Sequence, residues 1–81
     1  MSDSLSPQQC KAARALLGLH QKDLCKLAGV SIVTLSDFEG GKTKPYGRTL
    51  DAIKGALEGA GVEFIPADNG GPGVKLRKAG E

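Results

Sequence analysis

Tryptophan is absent from this chain, and Phe38, Tyr46 and Phe64 are its entire aromatic complement. A core of large flat rings is thereby excluded, and the interior has to be assembled from Leu, Ile, Val and Ala, the side chains that suit helix-on-helix packing. No stretch approaches the roughly 20 apolar residues of a membrane span, and the polar N-terminus MSDSLSPQQ lacks the basic and apolar regions of a secretory signal. A cytoplasmic protein with no membrane partner is expected. Cysteine is scarce too: Cys10 and Cys25 lie far apart, form no CxxC pair and have only His20 as a possible co-ligand, too few groups for a closed zinc site. Both read as reduced core thiols. There is no paired-carboxylate site, no Ser/His/Asp set and no metal cluster, so neither enzyme activity nor a cofactor is expected.

The 81 residues fit one small domain, which can hide only roughly 60% of the surface its unfolded chain exposes. Net charge is a modest +2, but it is unevenly placed. Residues 1–30 carry four Lys/Arg against two acids and residues 31–50 three against two, whereas residues 51–81 carry four against five. The positive surplus sits in the first fifty residues, which is where a polyanion would be met.

Helical signals fill that part of the chain. Ser6-Pro7-Gln8-Gln9 is a helix start, with Ser6 as N-cap, Pro7 at N1 and Gln9 closing a capping box. The first helix runs from about Pro7 to Leu17, with Cys10, Ala13, Leu16 and Leu17 as its inner stripe and Lys11 and Arg14 in solvent; Gly18 stops it. A second helix spans about Gln21 to Ala28, behind an indifferent N-cap at His20, with Leu24, Cys25, Leu27 and Ala28 inward and Lys22 and Lys26 outward. Ala28-Gly29-Val30 is a hinge, Ser31 caps a third helix, and Gly40-Gly41 ends it near Glu39. At about 100° per residue, Thr34, Leu35 and Phe38 share one face of this helix and Ile32, Val33, Ser36 and Asp37 the other. A helix that only needed to be soluble would put charges on that outer face; this one offers two β-branched aliphatics, a hydroxyl and one carboxylate.

Lys42-Thr43-Lys44-Pro45-Tyr46-Gly47-Arg48 is a basic loop that Pro45 and Gly47 keep out of helix. A fourth helix follows from about Arg48 or Thr49 to Ala60, with Leu50, Ile53, Ala56, Leu57 and Ala60 inward, and Gly61 ends it. The pattern then changes to period two in Val62-Glu63-Phe64-Ile65 and again in Val74-Lys75-Leu76-Arg77, around the turn-rich stretch from Pro66 to Gly73, which reads as a β-hairpin or a pair of edge strands. An isolated two-stranded ribbon is marginal in water, so these strands pack on the helices or pair with a second copy, and the second arrangement is favoured. Val62, Phe64, Ile65, Val74 and Leu76 are then the dimerisation residues. The Gly-rich stretch is a turn rather than a phosphate cradle, because a strand and not a helix follows it.

From Ser6 to Ile65 the chain resembles the small lambda-repressor-like, Xre-type helix-turn-helix regulators. The resemblance rests on ArgAlaLeuLeuGly at 14–18, GlnLysAspLeuCysLysLeuAlaGlyValSer at 21–31, ThrLeuSerAspPheGluGlyGly at 34–41 and ThrLeuAspAlaIleLysGlyAlaLeuGluGlyAlaGlyValGluPheIle at 49–65. It implies a mainly α fold, a compact four-helix domain over residues 1–61 with a C-terminal strand or hairpin over 62–78 and a tail over 79–81. It also implies a bacterial transcriptional regulator that binds double-stranded DNA at the nucleoid. The third helix would be the recognition helix, with Ile32, Val33, Ser36 and Asp37 toward base edges. Gln21, Lys22, Ser31, Lys42, Thr43, Lys44 and Arg48 would hold the backbone, and Gln21 would touch a phosphate or brace the start of the recognition helix. Such helices commonly offer Arg, Gln or Asn where this chain has Ile32 and Val33, so reading would rest on thymine methyls, Ser36, a cytosine amino group facing Asp37, and DNA shape.

Two functions fit these residues. One is a homodimeric regulator that reads an inverted repeat. The other is a protein-binding module, an antitoxin or adaptor, that uses the apolar face of the third helix and the C-terminal strands to hold a protein partner.

Overall fold

The computed structural model describes residues 5–66 and 71–77, and its elements run α1 (Pro7–Leu17), α2 (Gln21–Ala28), α3 (Ile32–Glu39), α4 (Gly47–Gly59), β1 (Val62–Ile65) and β2 (Gly73–Leu76). The expected turn at residues 67–70 and the tail at 79–81 lie outside the described residues.

Each helix begins and ends for a local reason. At α1 the Ser6 hydroxyl accepts from the Gln9 amide at 3.0 Å and the Gln9 side chain accepts from the Ser6 amide at 3.1 Å, so both halves of the capping box are made. The other end of the Gln9 amide group donates to the carbonyls of Gly73 (3.1 Å) and Ile65 (3.4 Å), pinning the strands to the start of α1. At α2 the Asp23 carboxylate accepts from the His20 amide at 2.9 Å. The hinge after α2 needs glycine: Gly29 has φ +71°, and its amide and that of Val30 both donate to the Cys25 carbonyl. A Cβ in that left-handed conformation costs roughly 1–2 kcal/mol.

Leu24, Leu35, Ile53 and Leu57 are fully buried and come one from each of α2 and α3 and two from α4. Cys10 and Ala13 of α1, Phe38, Leu50 and Leu5 complete the interior. Cys10 is buried as expected, whereas Cys25 is half-buried at the margin.

Several expected core residues are not there. Leu27 is 58% exposed and Leu16 44% exposed. In α2 the buried face is set by Leu24, Ala28 and Cys25, and at 100° per residue its centre falls roughly 100° away from Leu27. Leu16 is likewise turned past the face that Cys10, Ala13 and Leu17 define. Ala60 is exposed because α4 has already ended there. The same helix starts at Gly47, earlier than expected, with Tyr46 as N-cap residue.

The strands form an antiparallel hairpin within the one chain, in the register Val62↔Leu76, Glu63↔Lys75, Phe64↔Val74, Ile65↔Gly73. Of the two arrangements expected for this ribbon, packing on its own helices is present. Val62, Phe64 and Val74 face the helices: Val62 is fully buried, and the other two pack against the core. The Arg77 amide extends the ladder to the Gly61 carbonyl at 2.8 Å, and its guanidinium donates to the Glu58 carbonyl at 2.6 Å. The chain leaving α4 therefore carries its first strand residue straight into the interior, which fixes the ribbon on its own helices. Val62 is a core residue, not an interface residue.

Candidate nucleic-acid interface

α3 presents the outer face read from its periodicity. Ile32 is 47% exposed, Val33 64% exposed, Ser36 exposed and Asp37 half-buried. Thr34, expected on the inner face with Leu35 and Phe38, is half-buried because it belongs to the cap: its amide donates to the Ser31 hydroxyl at 3.0 Å, and that hydroxyl donates to Thr34 Oγ1 at 2.9 Å. Ser31 is thus occupied in holding the first turn of α3. At the other end, the Asp37 carbonyl accepts from the amides of Lys42 (2.9 Å) and Thr43 (3.4 Å), which folds the basic loop back against α3. Lys42, Thr43, Lys44 and Arg48 are all exposed along that loop and the start of α4, and Lys22 is exposed on α2.

Beneath this surface lies a polar cluster that the sequence reading did not foresee. Glu39, 4% exposed, accepts from Arg14 through both oxygens, Nη2 to Oε1 at 2.6 Å and Nε to Oε2 at 2.7 Å. Gln21 Nε2 donates to Oε1 at 2.9 Å and the Cys10 thiol donates to Oε2 at 3.0 Å. Arg14, expected in solvent, is instead the partner that makes a buried carboxylate tolerable, and its Nη1 also donates to the Leu19 carbonyl at 3.0 Å. One side chain at the end of α3 therefore ties α1, the start of α2 and α3 together. Gln21 reaches the end of α3 rather than its start.

Burial pushes the Glu39 carboxyl up, but hydrogen bonds from Arg14, Gln21 and Cys10, with the Arg14 charge, outweigh it and hold the group below the ordinary carboxylate value. The hydrogen bond to Glu39 raises Arg14 further, so both partners stay ionised. Burial raises the Cys10 thiol, and the hydrogen bond to Glu39 and its negative charge raise it further; burial and the Glu39 charge raise Cys25. These thiols are poor nucleophiles.

The signal for this cluster was present in the spacing. Glu39 stands four residues after Leu35 and Arg14 four after Cys10, so each charge falls on the stripe that its own helix buries. Of the residues expected to mediate dimerisation, Ile65 and Leu76 remain exposed, at the outer face and the far end of the hairpin. Among the described residues no His/Cys/Asp/Glu group is placed to hold a metal ion, and no helix is long and apolar enough to cross a membrane.

Comparison with known proteins bears on the same segment. A helix-turn-helix family model matches residues 11–59, which includes α2, the hinge and α3. Among solved structures, the chain is similar to the DNA-binding domain of the P22 C2 repressor, determined in solution by nuclear magnetic resonance. The TM-score is 0.61 at 36% identity, over 72% of this chain and 76% of that one. No curated protein matches the sequence.

Proposed function

This chain belongs to the helix-turn-helix family of the lambda-repressor-like, Xre type, and we propose that it is a DNA-binding transcription regulator that lays α3 in the major groove of double-stranded DNA. The observation that carries this reading is the outer face of α3. Ile32 and Val33 stand exposed on a helix whose first turn is capped by Ser31 and whose last residue is locked to two other helices. A groove-reading helix needs that combination, since its side chains must meet base edges without the helix shifting beneath them.

Ile32 and Val33 then pack on thymine methyl groups, Ser36 bonds a base edge, and Asp37 accepts from a cytosine amino group. Lys42, Thr43, Lys44, Arg48 and Lys22 hold phosphates. The Gln21 amide has two N–H donors, of which Glu39 takes one, leaving the second for a phosphate; Ser31 contributes through the helix start it caps rather than through a spare hydroxyl proton. The protein binds as a dimer to an inverted repeat with half-sites roughly 34–36 Å apart. Ile65 and Leu76 supply the exposed apolar contacts between copies, while Phe64 and Val74 hold the hairpin on its helices.

Fluorescence anisotropy against genomic fragments at two salt concentrations tests the reading. Lys44→Ala and Arg48→Ala should each weaken binding on all sequences alike and reduce the salt slope by roughly 0.9. If no DNA binds at low salt, the reading fails and the apolar face of α3 passes to a protein partner. The dimer is tested by Ile65→Lys and Leu76→Lys with mass in solution at equal concentration. Deleting the hairpin would not serve, because it would open the core at Val62.

A further inference from the structure

Behind the basic loop, between the start of α1 and the end of α3, lies a cavity of about 510 Å³. That volume falls within the roughly 300–1,000 Å³ of small-molecule sites. Its floor is apolar, from Leu5, Pro7 and Phe38, and two hydroxyls, Ser6 and Thr43, line it. Lys42 and Lys44 bring the only charges among its described lining residues, and both are exposed. None of those residues is acidic.

We propose that this cavity binds a small organic carboxylate with an apolar body, and that its occupant draws Lys42 and Lys44 away from DNA. Binding itself follows from the lining; the effect on DNA rests on the function proposed above. An inorganic anion satisfies the two ammonium groups but leaves the floor of Leu5, Pro7 and Phe38 unfilled. A neutral hydrocarbon fills the floor but leaves both ammonium groups unpaired. A carboxylate joined to a short apolar chain meets both requirements, and the Thr43 hydroxyl can donate to it as a neutral partner. Phe38 belongs to α3 and Lys42 hangs from the Asp37 carbonyl, so the occupant would touch the recognition helix from behind and its basic loop from within.

Titration of the full chain with hexanoate, hexanol and inorganic phosphate, followed by amide nuclear magnetic resonance without DNA, separates these cases. Hexanoate should shift the Leu5, Phe38 and Thr43 signals saturably, up to about fivefold more tightly than either control, the gain expected of an ion pair with an exposed lysine. The double variant Lys42→Met, Lys44→Met, which keeps the apolar stems, should lower hexanoate to the level of hexanol. Hexanol equal to hexanoate, phosphate equal to hexanoate, or shifts scattered over α2 and α4 would each overturn the site. Hexanoate added to the DNA complex at fixed ionic strength should then release DNA. If it binds and DNA stays bound, the regulatory half fails. If DNA never binds, the function proposed above fails while the cavity result stands.

Discussion

On the inner side of α3, Leu35 and Phe38 share the interior with the carboxylate of Glu39, while on its outer side Ile32 and Val33 stand in solvent. The usual assignment of residue types is reversed at both places, and the reasons differ. Glu39 is inside because it meets four donor groups, two of them on one guanidinium, and an ionised carboxylate so surrounded needs no water. Ile32 and Val33 have no such compensation in the free protein. The difference teaches that a polar residue can be spent inside on positioning the helix while its apolar residues are left outside, where the proposed function puts thymine methyl groups against them.

The largest expected effect comes from breaking the inner side. Glu39→Ala leaves Nε and Nη2 of Arg14 and the Gln21 amide without their acceptor and should cost about 3 kcal/mol or more in urea unfolding. Replacing both charges, Arg14→Met with Glu39→Leu, should recover most of that loss. A single-variant cost under about 1 kcal/mol would show that the cluster is not what holds α3.

Acid probes the same group without mutation. Its folded-state pKa lies below the ordinary value of 4.5, so its contribution is complete above that value and is lost as pH falls through the folded-state value. Unfolding free energy measured from neutral pH downward should fall below pH 4.5, and Glu39→Gln should remove that part of the slope. An unchanged slope in the variant would assign acid sensitivity to other carboxylates.

The outer side should behave in the opposite sense. Val33→Ala should leave stability within about 0.5 kcal/mol, since the side chain is exposed. DNA affinity should nevertheless fall by roughly 1 kcal/mol or more on sites with thymine at the contacted step. Uracil in place of that thymine should weaken the parent protein similarly and leave the variant little affected. If the variant and the parent lose equally on uracil, Val33 does not read the methyl group.

Much of this was legible in the sequence, and the exceptions have local causes. Ser6, Gly18, Gly29 and Ser31 marked helix ends because capping and left-handed turns demand particular residues, and those demands are satisfied within four residues of chain. The outer face of α3 was legible because Leu35 and Phe38 fix its rotation. Arg14 and Glu39 were passed over because a charge on a helix is ordinarily solvated, and their pairing crosses 25 residues of sequence. The hairpin itself was legible in the period-two pattern on either side of a turn-rich stretch, but what steadies it was not: Val62 lies inside the core, and Gln9 bonds across to Gly73 and Ile65.

Leu27 gives the smallest and cleanest test of how far α3 differs from its neighbour. It was expected in the core on spacing alone and is exposed, as Ile32 and Val33 are, but it lies on α2 outside the face argued to meet DNA bases. Leu27→Lys should therefore change unfolding free energy by less than about 0.5 kcal/mol. It should leave base preference unaltered, and any change in affinity at low salt should be small and uniform across sequences. A loss of several kcal/mol would restore Leu27 to the interior. A loss of DNA binding confined to particular sequences would extend the reading surface onto α2, and the distinction drawn between Leu27 and Val33 would fall.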